Sequence, residues 1–470
     1  MYTNLIKSVV RPSVAGGLTL IATFLFLPSC ESLLETTPEE YISDEDVIID
    51  RPSAEKALNG AYDAAASAEA YGIVTWNIAA DNVVSFQGRG TLVAHLQPSV
   101  GSADRTNGFA YNSYYTAINR SNSVLSAVNG LDEKLFTAGV RQKILAQALV
   151  LRAQAYMELT KTFGAVPVVT QPSTATNQDG IRQSPREQVF GQALEDLDEA
   201  ERLFDAAGQT VIDRGRASVW AVYALKARLY LYTDRWEEAE EYAGKLIGNT
   251  DFELTDTPEG FFLTARSEES IFEYVFGNAD KLPFYTFYLP STAGGLQDYI
   301  AAPELAAKLI DPAVGGNRSQ LIFRRTSADT DQDWFVNEYS KRDGSSSIFV
   351  ARLAEQYLIR AEARLKKASP DRAGAIADID AIKSRAGVSL LTPETPGTNS
   401  DLLLEIENER RYELAFEGHR YFDIIRTGRA PQVFGPHEPR YLDRRYWVHP
   451  FPYSTVLAYD PDLIQNEGYE

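Results

Sequence analysis

Small residues recur at helical spacing through most of this chain, and this pattern limits the fold more than any other feature. In residues 216–247, two apolar faces meet across a short break at residues 233–235, and alanines occupy both faces. Such spacing indicates amphipathic helices, and small residues at facing positions let two helices approach closely. The segment therefore predicts a tight helix pair. Its facing positions are Trp220, Ala224, Ala227 and Tyr230 against Trp236, Ala239, Ala243 and Leu246.

The same pattern extends over much of the chain and resembles tetratricopeptide helix pairs. Residues 350–387 repeat the helix-break-helix arrangement, and residues 112–163 and 186–247 have helical periodicity. Residues 71–110 and 251–349 instead contain short alternating runs and Gly- and Asn-rich stretches. Long irregular segments inside a domain are usually functional. We therefore predict a mainly α fold, a helix-pair scaffold with irregular, partly β inserts that form the ligand-binding half.

The N-terminus has the pattern of a bacterial lipoprotein signal. Basic residues precede an apolar run at residues 14–27, which is too short to span a bilayer comfortably and ends in Leu-Pro-Ser before Cys30. We predict a signal peptide at residues 1–29, a lipidated tether at residues 30–40 and a single domain at residues 41–470. The alternative is an ordinary secretory signal in which the position of Cys30 is accidental.

Charge and composition exclude several functional classes. The formal net charge is -20, and removal of the signal peptide leaves 43 basic and 65 acidic residues. Nucleic acid is therefore not an expected partner, since phosphate binding needs a basic face. The one cysteine excludes an internal disulfide framework. Because the chain has no phosphate-binding Gly-Lys loop and no dinucleotide fingerprint, we expect no cofactor.

Acidic and basic residues are interleaved in residues 407–429, ENERRYELAFEGHRYFDIIRTGR. The pattern allows an active site or an ion-paired structural helix. Glu409, Glu413 and Glu417 are four apart and share one helical face, with Arg410 and Arg411 between them. Neighbouring guanidinium groups hold carboxyl pKa values down, which does not suit a general acid. We therefore predict that this segment is structural.

Catalysis and metal binding have little support in the sequence. The four histidines are scattered, and neither HExxH nor GxSxG occurs. Residues 329–333 include an Asp-rich run that offers oxygen ligands for calcium, but the EF-hand spacing is absent. We predict a solvated loop there, no metal site and no catalytic residue. A secreted glycosidase is the remaining enzymatic alternative, and it needs a pair of unpaired acids in the ligand cleft.

Aromatic residues beside polar groups mark candidate ligand contacts in the two irregular segments. Flat rings and planar hydrogen-bonding groups are what sugar faces and hydroxyls require. Core packing is the alternative for every aromatic residue, and helix capping is the alternative for Asp81 and Asn82. The candidates are Trp76, Asn77, Asp81, Asn82, Phe86 and Arg89 in the first segment, and Tyr285, Tyr288, Tyr299 and Trp334 in the second.

Four ordered motifs resemble the SusD/RagB family of outer-membrane nutrient-binding lipoproteins of Bacteroidota. The C-terminal motif departs from the family pattern at Leu457, near the usual Glu, and at Asp460, in place of Asn. The motifs are LRAQAYMELTKTFGAVPVV at residues 151–169, ARLAEQYLIRAEA at residues 351–363, ENERRYELAFEGHRYFDIIRTG at residues 407–428 and HPFPYSTVLAYDPDLIQNEGY at residues 449–469.

The resemblance implies a right-handed tetratricopeptide-like array that binds oligosaccharide without hydrolysing it. It also implies lipid attachment through Cys30 to the outer membrane, facing outside, and a SusC-type TonB-dependent transporter as partner. A peptide-binding, RagB-like role is the alternative. An acidic glycan would need a basic cluster. A solvated strand pair is the alternative for the nearest group in the sequence, Arg318, Arg324, Arg325, Lys341 and Arg342.

Overall fold

The computed structural model describes most of the chain from residue 47 onward. Residues Ile48–Glu470 form one compact unit. Cys30, Arg89, the signal peptide and the tether lie outside the described residues. The described ranges are 47–86, 105–174, 180–208, 212–277, 279–282, 285–324, 333–395, 397–457 and 462–469.

Six long helices form the N-terminal scaffold, and successive helices pack on one another. The first begins at a capping box, in which the Asp50 carboxylate accepts a hydrogen bond from the Ser53 amide at 2.9 Å. The third ends at Gly164, whose φ of 75° few other residues adopt. The helices are α1 (Arg51–Ala79), α2 (Arg105–Gly130), α3 (Val140–Phe163), α4 (Arg186–Ala207), α5 (Val219–Tyr232) and α6 (Trp236–Ile247).

Helices α5 and α6 form the tight pair predicted from their alanines. Ala224, Ala227, Ala239 and Ala243 are all buried, and the turn is made by Asp234 in the left-handed region. A second pair, with its own Asp371 cap, packs against α6 through its first helix. The mainly α, tetratricopeptide-like array is therefore confirmed. The helices after α6 are α7 (Pro258–Phe262), α8 (Tyr285–Tyr288), α9 (Pro303–Ile310), α10 (Leu353–Lys366), α11 (Arg372–Ala386), α12 (Asn399–Glu413), α13 (His419–Arg426) and α14 (Ala430–Val433).

Four short antiparallel strand pairs occur in the described chain, and all but β2 with β3 lie in its irregular half. The pairs are β1 with β5, β2 with β3, β4 with β8 and β6 with β7. Strand β5 also contacts β7, so the first and last of these pairs adjoin. The strands are β1 (Val83–Ser85), β2 (Val166–Pro167), β3 (Gln183–Ser184), β4 (Ser270–Tyr274), β5 (Tyr299–Ala301), β6 (Ile322–Phe323), β7 (Phe335–Val336) and β8 (Ile348–Arg352).

The prediction of an irregular insert at residues 71–110 is partly wrong, because both ends of this segment are helical. Helix α1 continues to Ala79, and α2 starts at Arg105. The aromatic and aliphatic residues at 73–76 keep the helical spacing and are buried, which favours continuation. Gly72 permits the close approach of α2, because the Tyr114 hydroxyl occupies the space that a Cβ would need.

Candidate functional site

The acidic and basic segment at residues 407–429 forms a buried ion-pair network across α12 and α13. The Glu413 carboxylate lies 2.6 Å from Arg352 and 3.1 Å from Arg318, and it also pairs with Arg385. All four side chains are buried. Burial alone would raise the pKa of Glu413, but the three guanidinium charges outweigh burial and lower it. A carboxylate held ionised in this way cannot act as a general acid, so the structural interpretation is confirmed.

Asp81 belongs to the same kind of network and is not placed to contact a ligand. Its carboxylate lies 2.8 Å from the Arg420 guanidinium and 2.9 Å from that of Arg411. Burial opposes ionisation, yet these two charges lower the pKa of Asp81. The residue ties the end of α1 to α12 and α13, which corrects its assignment as a ligand contact.

Asn77 and Asn82 hold the turn between α12 and α13. The Asn77 amide donates to the Phe416 carbonyl at 2.5 Å and accepts from the Gly418 amide at 3.1 Å. The Asn82 amide donates to the Ala415 carbonyl at 2.7 Å. Both asparagines are buried, so backbone groups occupy the hydrogen bonds that we expected a ligand to use.

Trp76 lies in the core, which corrects its assignment as a ligand platform. Only 2% of the residue is exposed. Its ring meets the edges of Phe422 and His449 at centroid distances of 5.2 Å and 5.3 Å and stacks on Tyr421 at 6.5 Å. Neighbouring rings therefore cover the faces that a sugar would need.

Three other aromatic candidates form the core beneath the strand pairs. Phe86, Tyr288 and Tyr299 are 4%, 0% and 0% exposed. Phe86 packs on Phe335 at a centroid distance of 5.9 Å, and Tyr288 packs on Tyr339 at 5.6 Å. Core packing, the alternative interpretation, therefore applies to all three.

Tyr285 and Trp334 are the two aromatic candidates that keep partial exposure. The backbone connects their segments, because the Ala301 amide donates to the Trp334 carbonyl at 2.9 Å, and the Phe287 ring packs on Tyr299 in the same strand as Ala301. The exposed Arg324 guanidinium lies 5.9 Å from the centre of the Trp334 ring. We call this group the insert surface, and it consists of Tyr285, Phe287, Phe323, Arg324 and Trp334.

The structure changes two details of the sequence-based site. Phe323 is half-buried beside Phe335, at a centroid distance of 5.7 Å, although no motif singled it out. Its position next to an arginine in an alternating run was the available signal. Arg318 is fully buried and bonded to Glu409 at 2.6 Å, so it is removed from the group of basic residues considered for an acidic glycan. Arg325 lies outside the described residues.

The described residues contain no cluster of three or more histidine, cysteine, aspartate or glutamate side chains suited to a metal ion. His419 and His449 are buried, and burial together with nearby guanidinium groups lowers both pKa values. Asp333 is described, but the rest of the Asp-rich run is not. Within the described part of the chain, no helix is both long and apolar enough to cross a membrane.

A tetratricopeptide-like array that carries a separate, aromatic-rich insert region defines a class of helical scaffold proteins. Comparison with known families identifies which family within this class the chain matches. Residues 331–448 match the model of the SusD family, and residues 34–231 match a model described as "Starch-binding associating with outer membrane". The chain belongs to the SusD/RagB family. Neither of these family models describes an enzyme.

Relatives and solved structures agree with this assignment. SusD-like protein P38 of Formosa agariphila is 25% identical, over 94% of this chain and 96% of the relative. SusD-like protein P2 of the same organism is 24% identical, over 96% of this chain and 99% of the relative. A SusD superfamily protein from Bacteroides vulgatus has a TM-score of 0.78 at 19% identity, over 90% of this chain and 99% of its own. A laminarin binding SusD-like protein has a TM-score of 0.69 at 22% identity, over 90% of this chain and 100% of its own.

Proposed function

We propose that this protein is a non-catalytic, surface-exposed glycan-binding lipoprotein. It captures oligosaccharide or polysaccharide and delivers it to a SusC-type TonB-dependent transporter. The observation that carries the proposal is the match of residues 34–231 to the starch-binding, outer-membrane family. The fold shared with a laminarin binding SusD-like protein agrees with it.

The insert surface is the proposed glycan contact. Trp334 and Tyr285 are half-buried, and the exposed Arg324 guanidinium lies 5.9 Å from the centre of the Trp334 ring. A ring face beside a fixed donor matches a sugar, whose C–H face is apolar and whose edge carries hydroxyl groups. The described acids of residues 407–429 are held in ion pairs, which supports binding without hydrolysis.

Lipid attachment at Cys30 is the proposed anchor in the outer membrane, with the binding domain facing outside. A net charge of -20 gives the protein no electrostatic affinity for an anionic membrane surface, so acyl chains are needed to hold it there. In this arrangement the domain lies over the transporter barrel and releases its glycan into it.

Substitution of the exposed tryptophan tests the proposed contact. Trp334→Ala removes one ring platform and should weaken binding of a recognised glycan by roughly 1–3 kcal/mol, by analogy with stacking on other rings. The full-length chain should be titrated calorimetrically in a detergent without a sugar headgroup. Trp236→Ala is the matched control, because Trp236 is also half-buried but lies in the helix pair. Equal affinities of wild type and Trp334→Ala would exclude the insert surface.

A further inference from the structure

A cleft lies in the helical scaffold, and its lining includes none of the insert-surface residues. Its volume is about 710 Å³, within the range typical of small-molecule sites. Residues of α3, α4, α5 and α13 line it, together with the segment that ends at Val448.

Two arginines of this scaffold cleft form no direct ion pair, although the acids Glu187 and Asp234 act on Arg186 at longer range. Within the described part of the chain, neither Arg186 nor Arg444 makes a hydrogen bond or an ion pair. The other three cations of the lining are paired, with Lys161 2.5 Å from Glu158, Arg426 2.7 Å from Glu362, and Arg235 bonded to Glu238. Arg444 is exposed and Arg186 is half-buried, so both guanidinium groups remain accessible to an anionic ligand.

Aromatic rings fix the positions of these two guanidinium groups. Arg186 lies 5.3 Å from the centre of the Phe190 ring, and Arg444 lies 4.9 Å from that of Trp447. A guanidinium held over a ring keeps its N–H groups available in the plane for a bidentate acceptor. The Tyr232 hydroxyl is a further polar group of the lining, and it is buried without a hydrogen-bond partner among the described residues. The residue itself is only 9% exposed.

The rest of the lining favours a saccharide over a peptide. An extended peptide pairs its main chain with the edge of a sheet, and none of the described β-strands contributes to this lining. Side chains are therefore the available contacts. The two acids of the lining, Glu187 and Asp234, are exposed, in contrast to the half-buried Arg186.

We propose that the scaffold cleft binds an acidic sugar residue, whose carboxylate or sulfate group is held by Arg186 and Arg444. The inference rests on the proposed glycan-binding function and adds a preference for anionic glycans. Carboxylate and sulfate share the planar pair of acceptor oxygens that a guanidinium recognises.

Binding of charged and neutral probes to paired variants tests this assignment. The probes are trigalacturonate, a sulfated carrageenan tetrasaccharide and neutral laminaritriose, titrated into the full-length chain. Arg186→Gln/Arg444→Gln should weaken binding of whichever acidic probe is recognised by about ten-fold or more, and should leave binding of the neutral probe unchanged. The matched control is Arg182→Gln/Arg445→Gln, which removes the same charge from two exposed arginines.

The outcomes separate this inference from the proposed function. A wild-type protein that binds a neutral glycan but neither acidic probe contradicts the inference alone. So does an equal loss of affinity in the Arg186/Arg444 variant and its control, since that result reflects net charge only. Binding of tetraglutamate instead of the acidic sugars would replace the saccharide assignment with a peptide. A protein that binds no saccharide at all contradicts the proposed function itself.

Discussion

At the scale of single residues, the same amino acid has opposite roles in two parts of the chain. Trp76 and Trp334 both stand beside polar residues in the sequence. Trp76 is enclosed by three rings, whereas Trp334 is half-buried next to an exposed arginine. Residue type and local sequence context therefore do not distinguish a core aromatic residue from a ligand-binding one. Exposure depends on which distant segments cover the ring.

Replacement of Trp76 should destabilise the fold. Trp76→Ala removes a ring packed between α1 and α13, and such core truncations cost about 3–5 kcal/mol. Denaturant unfolding followed by circular dichroism measures the loss. A stability equal to that of wild type would mean that the ring is not in the core.

At the scale of elements, helical periodicity was sufficient to predict the scaffold. The helix pair of α5 and α6 and the second pair of α10 and α11 lie where the alanine spacing places them. The end of α1 differs from the prediction, because the sequence pattern assigns residues 71–79 to an irregular insert, whereas the helix continues to Ala79. Their helical spacing was present in the sequence, but the covering helix α2 was not visible from local pattern.

The ion pairs of α12 predict a large difference between two glutamates of one helix. Glu413→Ala leaves three buried arginines without a shared partner and should cost about 3–5 kcal/mol of stability. Glu405→Ala, the control, breaks only a partly exposed pair with Lys383 and should cost about 1 kcal/mol or less. Thermal unfolding of both variants checks the contrast, and similar losses would contradict the buried network.

Burial of His449 predicts a pH-dependent contribution to stability. Burial, with a smaller effect of Arg440, lowers the pKa of His449 from 6.5 to about 3. Below pH 6.5 the unfolded chain binds a proton that the folded chain does not, so stability falls as pH falls from 6.5 towards 3. Between pH 7 and pH 5 this contribution amounts to about 2 kcal/mol.

Other groups change stability with pH in the opposite direction, so the contribution of His449 must be measured separately from theirs. Burial and the charge of Glu158 raise the pKa of Glu69 to about 7. The contribution of this carboxyl group to the stability of the fold is therefore lost as pH rises from 4.5 to 7. Denaturant unfolding of wild type and His449→Gln at pH 7 and pH 5 isolates the histidine. The difference between the two proteins should change by about 2 kcal/mol, and a constant difference would show that His449 titrates normally when folded.

At the scale of the whole molecule, long-range pairing is what the sequence did not reveal. Arg318 bonds to Glu409, which is 91 residues away, and Asn77 bonds to the Gly418 amide, which is 341 residues away. No local pattern encodes such partners, although the motifs that contain them allow the family to be recognised. The class of fold was therefore predictable, whereas most of the expected ligand contacts proved to be supports for the α12–α13 turn and the core.

Attachment to the membrane is tested by the proposed lipidation residue. Cys30→Ser removes the thiol that would carry the acyl chains and should move the protein from the membrane fraction to the soluble fraction after cell lysis. Immunoblotting of the two fractions measures this shift. Retention of Cys30→Ser in the membrane fraction would mean that another part of the molecule holds it there.

The most direct test of the central claim is calorimetry of the full-length chain against a panel of soluble glycans and basic peptides, with reducing ends measured after overnight incubation. The account predicts heat with one class of glycan and no new reducing ends. Heat with peptides alone would contradict glycan binding and favour a peptide-binding role. New reducing ends from a bound glycan would contradict the non-catalytic claim and establish a hydrolase.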